Sequence, residues 1–123
     1  MNGNSALLDS NIIIYLSKRE VPLSFLDQFD EHFISVITYM EVLGYQFRNP
    51  KEEEFIREMI EVFRILFIDQ KVADMAIEIR RKCRIKLPDA IIAATAKALN
   101  LCLVTRNIHD FKKVAIQIAN PFD

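Results

Sequence analysis

Leu87-Pro88-Asp89-Ala90-Ile91-Ile92-Ala93-Ala94-Thr95-Ala96-Lys97-Ala98-Leu99, followed after Asn100 by Leu101-Cys102-Leu103-Val104-Thr105, is the stretch from which the fold is read. Pro88 is suited to the first turn of a helix, where its missing N–H costs nothing. The small residues of AIIAATAKAL behind it suit close packing on a sheet. LCLVT at 101–105 is a short β-type run. Working outward, ALLD at 6–9, HFIS at 32–35 and ILFI at 65–68 are further runs of that kind, separated by longer helical patterns. A helix is expected over 50–64, opening Asn49-Pro50, with Glu52, Glu53 and Glu54 in its first turn and Phe55, Ile56, Met59, Ile60 and Phe63 as its apolar stripe. Another is expected from about Asp69 to Arg84, capped by Asp69, with Val72, Ala76, Ile79 and Cys83 facing inward. Strands alternating with helices predict an α/β fold, a parallel sheet with helices on both faces.

The chain has 123 residues, enough for one domain to bury most of its unfolded surface without disulfides or a structural metal. Hydrophobic residues make up 51% and charged residues 27%, with two Gly and four Pro, which argues against long loops or disorder and leaves some apolar excess for an oligomer interface. No apolar run approaches the roughly 20 residues of a membrane helix, and MNGNSALLD lacks the pattern of a signal peptide, so a cytoplasmic protein is expected. Cys83 and Cys102 show no C-x-x-C spacing and no nearby His, and are read as buried thiols rather than as zinc ligands or a disulfide framework. Gly3 and Gly44 cannot build a P-loop or a dinucleotide fingerprint, which excludes nucleotide-cofactor functions. Residues 1–79 carry 7 basic and 14 acidic side chains and residues 80–123 carry 9 basic and 3 acidic, an asymmetry that suits an anionic partner for the basic part.

The acids fall at telling places. Asp9 closes the first strand, Glu41 is read early in the helix after the second, and Asp89 lies in the first turn of the helix beginning at Pro88; Asn107 and Asp110 follow the fourth strand. Ligands of open parallel sheets bind beyond the carboxyl ends of the strands, so Asp9, Asn107 and Asp110 share one edge, with Glu41 and Asp89 able to face it. An acid in a helix's first turn also serves simply as a cap, and Glu52, Glu53 and Glu54 are read that way. Asp9 in LLDSNIIIYL and Asp89 in KLPDAIIAAT are instead lone charges among apolar residues, partly desolvated and in need of a partner. Converging carboxylates raise one another's pKa, and a divalent cation resolves the conflict; all-oxygen ligation suits Mg²⁺ or Mn²⁺. Such an ion polarises a phosphoryl oxygen and acidifies water, and a second ion about 4 Å away would stabilise a leaving oxygen, which makes phosphodiester hydrolysis the natural chemistry.

These residues, over the full length of the chain, resemble the PIN domain and within it the VapC toxins of prokaryotic toxin–antitoxin pairs. LLDSNIIIYL resembles the family's opening strand with its first metal-binding Asp, here Asp9, followed by Ser10 and Asn11. SVITYMEVLGY resembles the second motif and places its Glu at Glu41, and LPDAIIAATAKALNLCLVTRNIHDF resembles the last two, giving Asp89 as a second strong ligand and Asn107 with Asp110 as the final pair. Thr105 matches a position that usually holds a small hydroxyl near the metal, and with Asn11 and Asn107 is assigned a supporting role. Many PIN domains carry an acid where this chain has Asn107, so the charge for a second ion falls to Asp110 or the site works mainly with one. The resemblance implies a three-layer α/β/α fold with a four- or five-stranded parallel sheet, a homodimer, a VapB-type antitoxin partner, DNA contact only through that antitoxin, and RNA cleavage leaving a 5′-phosphate and a 3′-hydroxyl.

Arg80, Arg81, Lys82, Arg84 and Lys86 precede Asp89, and Arg84 and Lys86 are candidates for holding RNA phosphates; cations at a helix C-terminus have an equal reading as dipole partners. Arg106, beside Asn107, is the better single candidate for substrate contact. His109 next to Asp110 is read as a surface histidine, since no G-x-S-x-G elbow supplies a nucleophile. Tyr15, Phe25, Leu26, Phe29, Tyr39, Leu43, Tyr45 and Phe47 are read mostly as core, with some available to a dimer seam or an antitoxin groove. Two other functions share the fold class: a receiver-type phosphoacceptor domain with Asp69 as acceptor, and a nuclease-like RNA-binding module disabled by Asn107.

Overall fold

A computed structural model describes residues 4–123; Met1, Asn2 and Gly3, which open the segment read above for a leader and include one of the chain's two glycines, lie outside the described residues. Five strands are joined by helices: β1 (Ser5–Leu8), α1 (Ser10–Ser17), a 3₁₀ segment (Leu23–Gln28), β2 (Glu31–Ser35), α2 (Val36–Leu43), α3 (Pro50–Glu61), β3 (Arg64–Leu66), α4 (Gln70–Lys82), α5 (Leu87–Leu99), β4 (Cys102–Val104), α6 (Ile108–Phe111) and β5 (Ile118–Ala119). All pairs are parallel and the order is β3-β2-β1-β4-β5, so β1 is central. The expected parallel sheet is present, with five strands.

Alternation along the strands divides the core between the two faces of the sheet. Leu7, Phe33 and Leu103 point to one side and pack with Val72, Ala76 and Ile79 of α4 and Ala90, Ile91, Ala93 and Ala94 of α5. Ala6, Leu8, Ile34, Cys102 and Val104 point to the other and meet Ile12, Ile13 and Leu16 of α1, Val42 of α2 and Ile56 and Ile60 of α3. The result is the three-layer arrangement implied by the resemblance. Alanines at 90, 93, 94 and 96, nearly fully buried, let α5 lie close to the sheet. Asn100 ends α5 in the left-handed region at φ 55° and ψ 53°, a conformation that Asn tolerates better than most side chains.

Several boundaries differ from the sequence reading. The helix expected over 50–64 stops at Glu61, because Arg64 already belongs to β3. Phe55 is 41% exposed and stands outside the stripe, which consists of Ile56, Met59, Ile60 and Phe63. The helix expected to run to Arg84 ends at Lys82, and Cys83 packs against the core as expected but from an extended position, its half-buried thiol 3.9 Å from the Lys113 carbonyl. β3 spans only Arg64–Leu66, and Phe67 and Ile68 are exposed. Among the described residues no helix is long and apolar enough to cross a membrane.

Candidate active site

Parallel pairing brings the carboxyl ends of β1, β2 and β4 to one edge, and the residues that follow them build the site. Asp9 comes directly after β1, where its backbone N–H donates to the Val104 carbonyl at 3.0 Å. Its carboxylate caps α1: Oδ1 accepts from the Ser10 N–H at 2.7 Å, and Oδ2 accepts from the Thr105 hydroxyl at 2.9 Å. Thr105 follows β4 and is fully buried; its Oγ1 in turn accepts from the Asn107 N–H at 3.0 Å. Residues 96 positions apart thus fix one carboxylate in place, 8% exposed.

Burial pushes the Asp9 carboxyl above the usual carboxylate range; the hydrogen bonds from Thr105 and Ser10 pull against that rise and the negative charge of Glu41 adds to it. Asp89, half-buried in the first turn of α5, is likewise raised, first by burial and then by the charges of Asp9, Asp110 and Glu41, with Lys86 opposing. Asp89 therefore feels the charge of the other three acids named from the sequence. Glu41 lies late in α2 rather than early, the sixth of its eight residues, because Ser35 caps that helix and starts it at Val36. It is exposed and its Oε1 accepts from the Ser10 hydroxyl at 2.7 Å. Asp110 is exposed, and its Oδ2 accepts from the Asn107 amide at 2.6 Å.

Among the described residues no three His, Cys, Asp or Glu side chains are grouped so that they could hold a metal ion as they stand. The donors facing the edge are nevertheless all oxygen, and they repel one another in a partly desolvated crevice. That is the environment in which a hard divalent cation is most favourable, with Asp9 and Asp89 as the fixed ligands. Glu41 and Asp110 are each held by one hydrogen bond, to Ser10 and to Asn107.

The cationic candidates separate. Lys86 stands at the N-cap position of α5, close enough to lower the Asp89 pKa. Arg106, exposed beside Thr105, is clamped by aromatics: its guanidinium lies 4.2 Å from the Phe122 ring centroid and 5.6 Å from that of Tyr15, with Nη1 3.4 Å from the Tyr15 hydroxyl. Arg84 lines a groove of about 650 Å³ between α4 and α5 with Ile68, Ile77, Leu87, Arg80 and Arg81, a lining that contains none of the four acids. His109 is exposed, and the hydrogen bond to Asp110 comes from Asn107. Asp69 caps α4 by accepting from the Val72 N–H at 2.8 Å and follows the edge strand β3, so the receiver-type reading has no central acceptor.

Ser10 was only a polar neighbour of Asp9 in the sequence, yet it touches both Asp9 and Glu41. Asn11 faces a second cavity of about 320 Å³, shared with Ser10, Ile14, Lys18, Glu41, Val42, Tyr45 and Glu52. The aromatic content of the first half gave no sign of which ring would stand outside the core.

The model of the PIN domain family matches residues 6–117. Solved structures similar to this chain include a chain of a toxin–antitoxin complex from Klebsiella pneumoniae, 34% identical, with 96% of this chain and 98% of that one covered at a TM-score of 0.77. Another is a chain of FitAcB from Neisseria gonorrhoeae, 31% identical over 95% of this chain and 98% of that one, TM-score 0.77. A chain of a DNA-bound VapBC complex from Salmonella typhimurium is 23% identical over 98% and 99% of the two chains, and its TM-score of 0.83 speaks for the fold. No curated protein matches the sequence.

Proposed function

Since the chain belongs to the PIN domain family, we propose that it is a VapC-type toxin that hydrolyses RNA phosphodiester bonds with the help of Mg²⁺ or Mn²⁺. The observation that carries this reading is the pair Asp9 and Asp89, both raised by burial and by neighbouring acids at the sheet edge where ligands of parallel sheets bind. A divalent ion bound there would polarise a phosphoryl oxygen and lower the pKa of water. The chain's own residues do the positioning. The Thr105 hydroxyl holds Asp9 Oδ2, and Ser10 ties Asp9 to Glu41. Asn107 orients Asp110, and a turn of that pair toward Asp89 would complete the ligand set. Arg106 and Lys86, on either side of the acids, and Arg84 farther along, are assigned to RNA phosphates, where each neutralised phosphate strengthens binding in a salt-dependent way.

The reading includes a VapB-type antitoxin, because similar chains occur in complexes described as toxin–antitoxin or VapBC. It also includes a homodimer, and DNA contact only through the antitoxin; co-expression with the antitoxin and the mass of the purified chain in solution test these parts.

The purified protein should degrade RNA with Mg²⁺ or Mn²⁺ and stop on chelation, and Asp9→Asn and Asp89→Asn should each lose at least a hundredfold in rate, as removal of a metal ligand or its immediate support commonly does. Undiminished cleavage in both variants refutes the site. One observation favours a second reading, an RNA-binding module without activity: the Asn107 amide already occupies an oxygen of Asp110. A wild-type protein that binds RNA but leaves it intact with either metal would favour that module.

A further inference from the structure

Apart from Ser10 and Glu41, the residues lining the cavity of about 320 Å³ have no part in the chemistry described so far. Its walls come from three helices. Asn11, Ile14 and Lys18 follow one another at helical spacing down one side of α1; Glu41 and Tyr45 stand at the end of α2, and Glu52 is in the first turn of α3. The cavity adjoins the carboxylate site, since Ser10 and Glu41, joined by a 2.7 Å hydrogen bond, line it and Ser10 also bonds Asp9.

Its chemistry selects an occupant. Tyr45 is 56% exposed, whereas Phe29 is buried and Tyr15, Phe25, Tyr39 and Phe47 pack against the core. Phe47 meets the Tyr45 ring edge-on, with centroids 5.7 Å apart, so the exposed ring has one aromatic support. Glu41 and Glu52 outnumber the one cation of the lining, Lys18, so the cavity disfavours phosphate and suits an uncharged group. Ile14 and Val42 give apolar lining for a flat ring, Glu52 contributes acceptors, and Asn11 and Lys18 contribute donors.

We propose that this cavity is a nucleobase subsite, in which one unstacked base of a single-stranded RNA lies against Tyr45 while the neighbouring phosphate reaches the acids. The inference rests on the nuclease reading and deepens it by naming the substrate as single-stranded RNA with a preferred base beside the cut. Guanine fits best. Its Watson–Crick edge sets two N–H donors side by side for one carboxylate and a carbonyl for the amide or ammonium, a pattern that no other RNA base offers. Sequence-selective RNA recognition commonly uses such splayed, stacked bases.

The test uses the whole protein with Mn²⁺ and short single-stranded RNAs that differ in one nucleotide around a single cleavable linkage. Wild type is expected to prefer guanine at one position beside the cut. Tyr45→Ala should raise KM by roughly tenfold, the range expected for loss of one base–aromatic stack, while Tyr45→Phe keeps the wild-type KM. Glu52→Gln should bring cleavage of the four substrates to near equality. Wild-type cleavage with KM and base preference unchanged in Tyr45→Ala and Glu52→Gln overturns the subsite and leaves the nuclease reading standing. Absence of metal-dependent cleavage by the wild type overturns both.

Discussion

Asp9 lies between opposed demands: burial favours its neutral form, while the donors Ser10 and Thr105 favour the charged one. Its pKa, like that of Asp89, is raised in the folded chain. For a raised carboxyl the folded state holds its proton to higher pH than the unfolded state does. The contribution of these two groups to stability is therefore favourable below the ordinary carboxylate range and is lost as pH rises through the raised folded-state values. At neutral pH the site weakens the metal-free protein. Asp9→Asn should raise the metal-free stability by on the order of 1 kcal/mol while removing activity, a common trade at functional sites; thermal melts at pH 7 check it, and a lower Tm would show that the charge is balanced in the fold. Thr38 offers a second residue-scale test. Its hydroxyl is buried in α2 without a hydrogen-bond partner among the described residues, so Thr38→Val should gain about 1 kcal/mol in a denaturant titration. The acids themselves were legible as lone charges in apolar runs. Ser10 and Tyr45 were not, because a hydroxyl beside an acid and an aromatic among aromatics gain meaning only from what the fold brings opposite them.

The elements were read most accurately where burial is strongest. β1, β2 and β4 are bounded runs of fully or largely buried residues, and each was visible. β5 has only two residues, Ile118 and Ala119, held by pairing to Leu103 and Val104, and no local pattern of that length stands out. Glu41 was placed too early because the start of α2 was not fixed; Ser35, whose hydroxyl accepts from the Ile37 N–H at 3.1 Å, is the cap that sets it. The end of α5 has its own device in Asn100, which closes the helix with the Leu101 N–H donating back to the Ala96 carbonyl at 2.8 Å, so that β4 can start at Cys102. Asn100→Ala should cost about 1 kcal/mol, since alanine resists the left-handed conformation, and Asn100→Gly should cost less, as equilibrium unfolding can show. Equal losses in both would place the role of Asn100 in its side-chain contacts.

Across the whole molecule, the parallel sheet gathers side chains from β1, β4 and α5 at one edge, although their sequence positions span the chain. The alternation of strands and helices was enough to place Asp9, Asn107 and Asp110 there. Which hydroxyls and amides would hold them was not, since those contacts join residues as far apart as Asp9 and Thr105. Cation binding is the molecular-scale consequence: Mg²⁺ or Mn²⁺ should stabilise the fold, by about 2.7 kcal/mol at a hundredfold excess over Kd, and Asp89→Asn should lose most of that gain. A Tm indifferent to both metals would speak against a cation site.

The central claim is that Asp9 and Asp89 belong to a metal-dependent RNA-cleaving site. Its most direct measurement is end-group analysis of RNA incubated with the wild-type protein and with Asp89→Asn, each with Mn²⁺ and with chelator. Fragments bearing 5′-phosphate and 3′-hydroxyl ends should form only with the wild-type protein and the metal. The same fragments arising in chelator, or from Asp89→Asn at the wild-type rate, would contradict it.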